Sequence, residues 1–234
     1  MSQAVDLVMV GSRLANLLLA MTSGIYVLYR YTRTKLRQSL YWGLAIVSIG
    51  VAYVFTVCFA IGLVDATNAA YSIEETFLSL TIALFYYGCA VALTKNRFYS
   101  TFLTLTIFVL QEATILYFLL ILNEYFVALF ILVVVFGIPV VVFVAVFFTL
   151  GYRSSRSTAT LLLAASFWLE LVVAPTLLIV NLTPLSWLFY IANTGNDVLR
   201  FAGFIMLASP RSKQLTSRLA TGSPHPWIKV LSRF

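Results

Sequence analysis

The stretch FVALFILVVVFGIPVVVFVAVFFTL, residues 126–150, contains no charged side chain and no amide side chain. An α-helix needs about 20 apolar residues to cross a hydrocarbon layer of roughly 30 Å. A strand or a buried helix of a soluble protein has no need of so long an apolar run. The stretch therefore predicts a membrane-spanning helix, and the rest of the chain can be searched for others.

The whole chain has the same apolar character as this stretch. Its 234 residues are 62% hydrophobic and only 10% charged, and the mean hydropathy is +0.98. Soluble domains carry roughly 25% charged residues, because their surface faces water. The composition predicts an all-α integral membrane protein in contact with the lipid bilayer.

Seven apolar runs are long enough to span a membrane, and short polar segments separate them. They are residues 7–29, 40–64, 71–93, 99–122, 126–150, 158–180 and 185–208. We predict one seven-helix domain, residues 1–208, followed by a basic tail, residues 209–234. Apolar residues at helical spacing from Trp227 to Phe234 predict a short amphipathic helix on the membrane surface, unless the tail is disordered.

The distribution of charge predicts how the chain is oriented. Thirteen of the 15 basic residues lie in the loops after spans one, three and five and in the tail. The acidic residues Asp6, Asp65, Glu74, Glu75 and Glu124 lie at the opposite ends of the spans. Because basic loops stay in the cytoplasm, we expect an external N-terminus, a cytoplasmic C-terminus and a location in the cell membrane. This topology accounts for the net charge of +7, which therefore does not indicate nucleic acid binding.

The chain lacks the residues that bind the common cofactors or form a catalytic group, so we expect neither a cofactor nor an enzymatic function. Retinal requires a lysine inside the last span, and all four lysines, Lys35, Lys95, Lys213 and Lys229, lie outside the spans. His225 is the only histidine and lies in the tail, so we expect no bis-histidine haem, no metal site and no Ser-His pair. Cys58 and Cys89 lie within spans and are expected to pack as small apolar residues.

Charged and amide side chains inside the spans are the candidate functional residues, because each is costly in hydrocarbon. A midplane group comprises Gln111, Glu112, Glu170, Asn193, Asn196, Asp197 and Arg200. An outer group comprises Arg13, Glu74 and Glu75. We expect Arg200 to contact Asp197, one helical turn away, and Glu170 of span six, with Asn196 also within reach of the guanidinium.

These charges admit two interpretations. In one, they neutralise each other and only fix the packing of the helices. In the other, Glu170 carries a proton or faces an ion, and Pro175 acts as a hinge because it removes a helical hydrogen bond from the carbonyl of Leu171. Three carboxyl groups against one arginine at similar depth favour the second interpretation.

Three functions remain compatible with the sequence. The first, which the sequence narrowly favours, is a small transporter, channel or translocation subunit that uses the midplane charges for an ion or proton pathway. The second is a seven-helix sensor or receptor with an outward pocket, and the third is an accessory subunit whose apolar span five docks into a larger membrane complex. A polar cavity around Glu170 and Arg200 would favour transport, a closed outward pocket lined by aromatic residues would favour a receptor, and a solidly packed interior would favour the accessory role.

Overall fold

The computed structural model describes residues 3–94, 96–180 and 186–209, and these residues form seven helices without a strand. The helices are α1 (Gln3–Thr34), α2 (Arg37–Ala60), α3 (Asn68–Leu93), α4 (Arg97–Ile121), α5 (Tyr125–Ser155), α6 (Thr158–Val180) and α7 (Ser186–Ala208). The tail after Ser209, with its expected surface helix and His225, lies outside the described residues.

Helices α1 to α6 are each long enough and apolar enough to cross a membrane. Helix α7 has 23 residues, but two asparagines, an aspartate and an arginine interrupt its centre. The prediction of an all-α multi-pass membrane protein is therefore confirmed, with six helices that meet the criteria of length and hydropathy and a seventh that is more polar.

The helices begin and end where the sequence supplies turn chemistry. Thr67 precedes α3 and its side chain accepts a hydrogen bond from the backbone N–H of Ala70 at 3.3 Å. Asn96 caps α4 in the same way, accepting from the N–H of Tyr99 at 3.3 Å. Lys35 and Arg156 adopt left-handed φ angles of 55° and 52° and so turn the chain after α1 and α5. These local signals keep most connections short.

Six of the helices form a ring. In chain order α1, α2, α3, α5, α6 and α7 each contact the next, and α7 contacts α1. Helix α4 lies outside the ring, against α3 and the first half of α5. Only 17% of the residues in its most apolar 18-residue stretch are buried, compared with 44% for the corresponding stretch of α2. The apolar composition of α5 predicts that this helix faces lipid or a partner. The corresponding stretch of α5 is 33% buried, so α4 is the more exposed of the two helices.

Small residues allow close contact within the ring. A side chain at Gly24 of α1 would lie 2.7 Å from Val47 of α2, and one at Gly88 of α3 would lie 2.5 Å from Cδ1 of Trp42. Such contacts are typical of helices that associate in a membrane, where backbones approach closely through glycine. They draw α1, α2 and α3 together.

The two ends of the ring differ in charge and in packing. At the acidic end lie the α2–α3 loop with Asp65 and the α4–α5 loop with Glu124, and at the basic end lie the turns with Lys35 and Arg156. An aromatic layer fills the ring towards the basic end, with ring centroids 5.4 to 5.8 Å apart between successive members. The layer comprises Trp42, Phe85, Phe148, Phe167 and Phe204.

Candidate ligand cavity

A cavity of about 500 Å³ lies inside the ring, and all six ring helices contribute to its wall. It extends from Ala66, in the loop at the acidic end, to Phe85 and Phe167 of the aromatic layer. None of the described residues that line it belongs to a loop at the basic end. The cavity is therefore one-sided, because the aromatic layer closes it.

Arg200 lies at the closed end of the cavity, where it forms ion pairs with Glu170 and Asp197. Its Nη1 lies 3.2 Å from Oδ1 of Asp197, and its Nη2 contacts Oε2 of Glu170. The guanidinium also lies 5.2 Å from the centre of the Phe167 ring, a cation–π distance. The predicted contacts of Arg200 with both carboxylates are confirmed.

Two further side chains hold this network in place. Tyr53 of α2 donates a hydrogen bond of 2.6 Å to Oδ2 of Asp197, and Asn196 donates one of 2.6 Å to Oε2 of Glu170. Asn196 was expected near the guanidinium and instead holds the carboxylate that pairs with it. Helices α2, α6 and α7 are thus joined by one set of charged and polar contacts at the closed end.

The face of α7 that carries the network follows from helical geometry. Residues three and four apart lie on the same side of a helix, and Tyr190, Asn193, Asp197, Arg200 and Phe204 keep that spacing. All five are buried, as the shared face predicted. Asn193 and Tyr190 line the cavity, whereas Asp197 lies behind Arg200. The polar centre of α7 is therefore directed inward, away from lipid.

The outer group lines the same cavity nearer the acidic end. Glu74 accepts a hydrogen bond of 2.6 Å from Thr56, whereas Oε2 of Glu75 has no hydrogen-bond partner although the residue is only 2% exposed. The guanidinium of Arg13 lies 5.1 Å from the centre of the Tyr190 ring. The outer group and Arg200 therefore face the same cavity, whereas the sequence suggested two separate clusters.

Two residues of the predicted midplane group lie apart from Arg200. Glu112 of α4 accepts a hydrogen bond of 2.7 Å from Thr76 of α3, and neither Glu112 nor Gln111 lines the cavity. Gln111 is fully buried and its amide has no hydrogen-bond partner. The position of α4 outside the ring explains this separation, because the side chains of α4 reach α3 but not α6 or α7.

Helix α6 runs without interruption past Pro175. Proline has no N–H, so the carbonyl of Leu171 loses its helical donor, and Leu171 lines the cavity one residue after Glu170. Pro175 itself does not line the cavity, but the carbonyl it leaves without a donor belongs to a lining residue next to Glu170.

Several residues of the cavity carried no signal in the sequence. Tyr53 lies in an otherwise apolar helix, and nothing in its spacing marks it as the donor to Asp197. Phe59, Tyr71 and Tyr125 form a contiguous aromatic group in the wall, with centroids 5.0 Å apart for the first pair and 4.3 Å for the second. Aromatic residues are too frequent in this chain for composition to single out these three.

Within the part of the chain that the structure describes, no group of three or more His, Cys, Asp or Glu side chains is placed to hold a metal ion. No protein-family model, no curated protein and no solved structure matches the chain. The fold and the cavity therefore define a class only: a helical multi-pass membrane protein with an internal cavity that is closed by aromatic side chains at one end.

Proposed function

We propose that the protein binds a small molecule in this cavity and acts as a seven-helix sensor or receptor of the cell membrane. The observation that carries the proposal is the one-sided cavity of about 500 Å³. Small-molecule sites commonly measure about 300–1,000 Å³ and combine apolar walls with a few convergent polar groups. Here the polar groups are Arg13, Glu74, Glu75, Glu170 and Arg200.

In this proposal the acidic end faces the outside and the basic end faces the cytoplasm, following the distribution of basic residues. A single cysteine introduced at Glu124 should react with a membrane-impermeant maleimide added outside intact cells, and one at Thr34 should not. Both variants are made after Cys58 and Cys89 are replaced by alanine. Labelling at Thr34 and not at Glu124 would contradict the orientation.

A receptor must transmit occupancy of its pocket to the other side of the membrane. Helix α7 connects the two regions, since Arg200 lies at the closed end of the cavity and Ala208 lies at the basic end. The carbonyl of Ala208 accepts a hydrogen bond of 2.8 Å from Nε of Arg30 in α1. A ligand that moves Arg200 would therefore act on the contact between α1 and α7 beside the basic loops, where a cytoplasmic partner would bind.

The test uses a substitution that fills part of the cavity and leaves its charged side chains unchanged. Ala174 lines the cavity, whereas Val172, two residues earlier on α6, is 64% exposed on the outer face. For any compound of a small-molecule panel that raises the thermal stability of the purified protein, Ala174→Phe should weaken binding about tenfold or more, equivalent to about 1.4 kcal/mol. Val172→Phe is the matched control. A panel whose hits bind both variants equally would refute the proposal.

A transporter is the second candidate, because the cavity reaches Glu170 and Arg200, as expected for a transport pathway, and their ion pair lies near Pro175. We place the receptor first because the aromatic layer closes the cavity towards the basic end. Alternating access would require the aromatic layer to open while Glu170 exchanges partners. Glu170→Gln should then abolish pH-dependent flux in reconstituted vesicles while it preserves thermal stability, because it retains the shape of the side chain. Flux that is unchanged in the variant, or absent from both proteins, would count against transport. The accessory role is less favoured, since the interior is not solidly packed.

A further inference from the structure

We propose that the ligand of this cavity is a small organic cation whose ammonium group binds between Glu74 and Glu75, against the aromatic group Phe59, Tyr71 and Tyr125. The inference rests on the proposed function, because it names the chemical class that the cavity accepts. It follows from the charges, the unpartnered atoms and the aromatic side chains near the acidic end.

The two levels of the cavity each hold one arginine and two carboxyl groups, but they differ in how these groups are paired. At the closed end Arg200 forms ion pairs with both carboxylates and Asn196 also donates to Glu170, although Nε of Arg200 and Oδ1 of Asn196 have no hydrogen-bond partner. Near the acidic end Glu74 and Glu75 face a single cation, Arg13. Arg13 forms no ion pair with any described carboxylate and contacts the Tyr190 ring instead. Among the described residues, Glu74 and Glu75 therefore have no ion pair, in contrast to Glu170 and Asp197.

One carboxyl oxygen of Glu75 also lacks a hydrogen-bond partner. It is 2% exposed, it lines the cavity, and its Oε2 has no hydrogen-bond partner. The great majority of buried polar groups in proteins have a hydrogen-bond partner, and an unpaired buried carboxylate is more costly than an unpaired neutral group. Glu112 on α4 lies near enough to interact electrostatically with Glu75 and adds a third acidic group. A ligand with a positively charged N–H donor would satisfy Oε2.

The aromatic group distinguishes an organic cation from a metal ion. Tyr71 contacts both Phe59 and Tyr125, and all three rings lie in the cavity wall with Glu74 and Glu75. Aromatic faces attract ammonium groups and pack against their carbon substituents. Calcium requires six to eight oxygen ligands and magnesium requires octahedral oxygen coordination. Among the described residues, no group of three or more His, Cys, Asp or Glu side chains is placed to supply the core of such a set. An ammonium head with an apolar body fits both the carboxylates and the apolar remainder of the cavity.

The experiment uses two probes of nearly equal shape, 2-phenylethylammonium and the uncharged 2-phenylethanol, with calcium chloride as a third. Binding to the purified full-length protein is measured by calorimetry. We expect the ammonium compound to bind and the alcohol to bind at least about tenfold more weakly, since only the ammonium compound makes a charge-assisted contact with the carboxylates.

Glu75→Gln should weaken binding of the ammonium compound about tenfold or more, whereas Glu124→Gln, at an exposed acidic residue of the same end, should not. The glutamine variant is expected to fold, because it removes an unpartnered buried charge without a change in shape. Equal binding of the amine and the alcohol, a response to calcium alone, unchanged affinity in Glu75→Gln, or no binding of the amine would each overturn the inference.

The outcome also separates this inference from the proposed function. If both organic probes bind equally and Ala174→Phe prevents their binding, the cavity is a ligand site without preference for cations. If Ala174→Phe leaves all binding intact, the ligand site lies elsewhere and the proposed function fails as well.

Discussion

Replacement of Arg200 by methionine should destabilise the protein more than any other single change in the cavity wall. Methionine keeps much of the length of the side chain and removes the charge. The substitution leaves Asp197 and Glu170 in the interior without their cation, and removal of one partner from a buried ion pair costs about 3–5 kcal/mol.

The geometry determines where in that interval the effect should lie. Asp197 has a side-chain exposure of 1% and would retain only the hydrogen bond from Tyr53, so it cannot recover solvation. Glu170 has a side-chain exposure of 20% and faces the cavity, so it would be partly rehydrated. Two charge-assisted contacts of about 1.5–3 kcal/mol each are lost, and the hydration of Glu170 offsets part of one. We expect a loss of about 3 kcal/mol.

The free energy of unfolding is measured by titration of the detergent-solubilised protein with dodecyl sulfate, followed by circular dichroism. Arg33→Met is the control, because Arg33 is exposed at the end of α1 and contacts only Tyr29 there. It should change stability by less than about 0.5 kcal/mol. Asp197→Asn added to Arg200→Met should restore part of the loss, since it removes the stranded charge.

A loss below about 1 kcal/mol for Arg200→Met would refute the reasoning, because it would mean that water already solvates the network. An equal loss for Arg33→Met would also refute it, because the effect would then reflect the removal of any positive charge.

Two further predictions use the same assay. Gly88→Ala should cost about 1–3 kcal/mol, because the added methyl would lie 2.5 Å from Trp42, whereas Gly11→Ala, with no atom within 4 Å, should be neutral or stabilising by up to about 1 kcal/mol. Equal effects at the two glycines would contradict the close contact. Tyr53→Phe should cost about 1–3 kcal/mol, since Oδ2 of Asp197 loses its donor, and a cost near zero would show that another donor replaces it.

The helices could be predicted because hydrophobicity in this chain changes abruptly at their ends. Residues 158–180 were predicted as a span and form α6 with the same bounds. Helix α1 is longer at both ends than the predicted 7–29, because a helix continues past the apolar segment when its flanking residues have no helix-breaking character. The contact of Arg200 with Asp197 and Glu170 was also predictable, since an arginine at that depth requires carboxylate partners.

The cavity could not be predicted, because it depends on how far apart the helices lie and on the volumes of side chains from six of them. Glu74 and Glu75 illustrate this. Neighbouring residues on a helix point about 100° apart, and a sequence pattern would assign one of them to the surface. Both are buried because α3 has helices on more than one side, with α2 supplying Thr56 to Glu74 and leaving Oε2 of Glu75 without a partner. The order of helices in the ring, with α4 excluded, has no signature in the sequence.

Helix α5 contains a π-helical turn in its middle, and this turn affects which residues of α5 face the cavity. Residues Ile131–Gly137 are π-helical, an arrangement that accommodates one residue more than a regular α-helix. Five of the seven cavity-lining residues of α5 lie at every fourth position, at Tyr125, Leu129, Val133, Gly137 and Val141. In a regular helix such a series drifts by about 40° per step, so its two ends would face in nearly opposite directions. Because the π-helical turn absorbs one extra residue, deletion of one valine from Val133–Val135 would convert the segment to a regular helix and leave Tyr125 facing the cavity. A regular α-helix of the present length would instead rotate Tyr125 by about 100° away from the cavity. The shape of the wall thus depends on the π-helical turn as much as on the identity of the residues in α5.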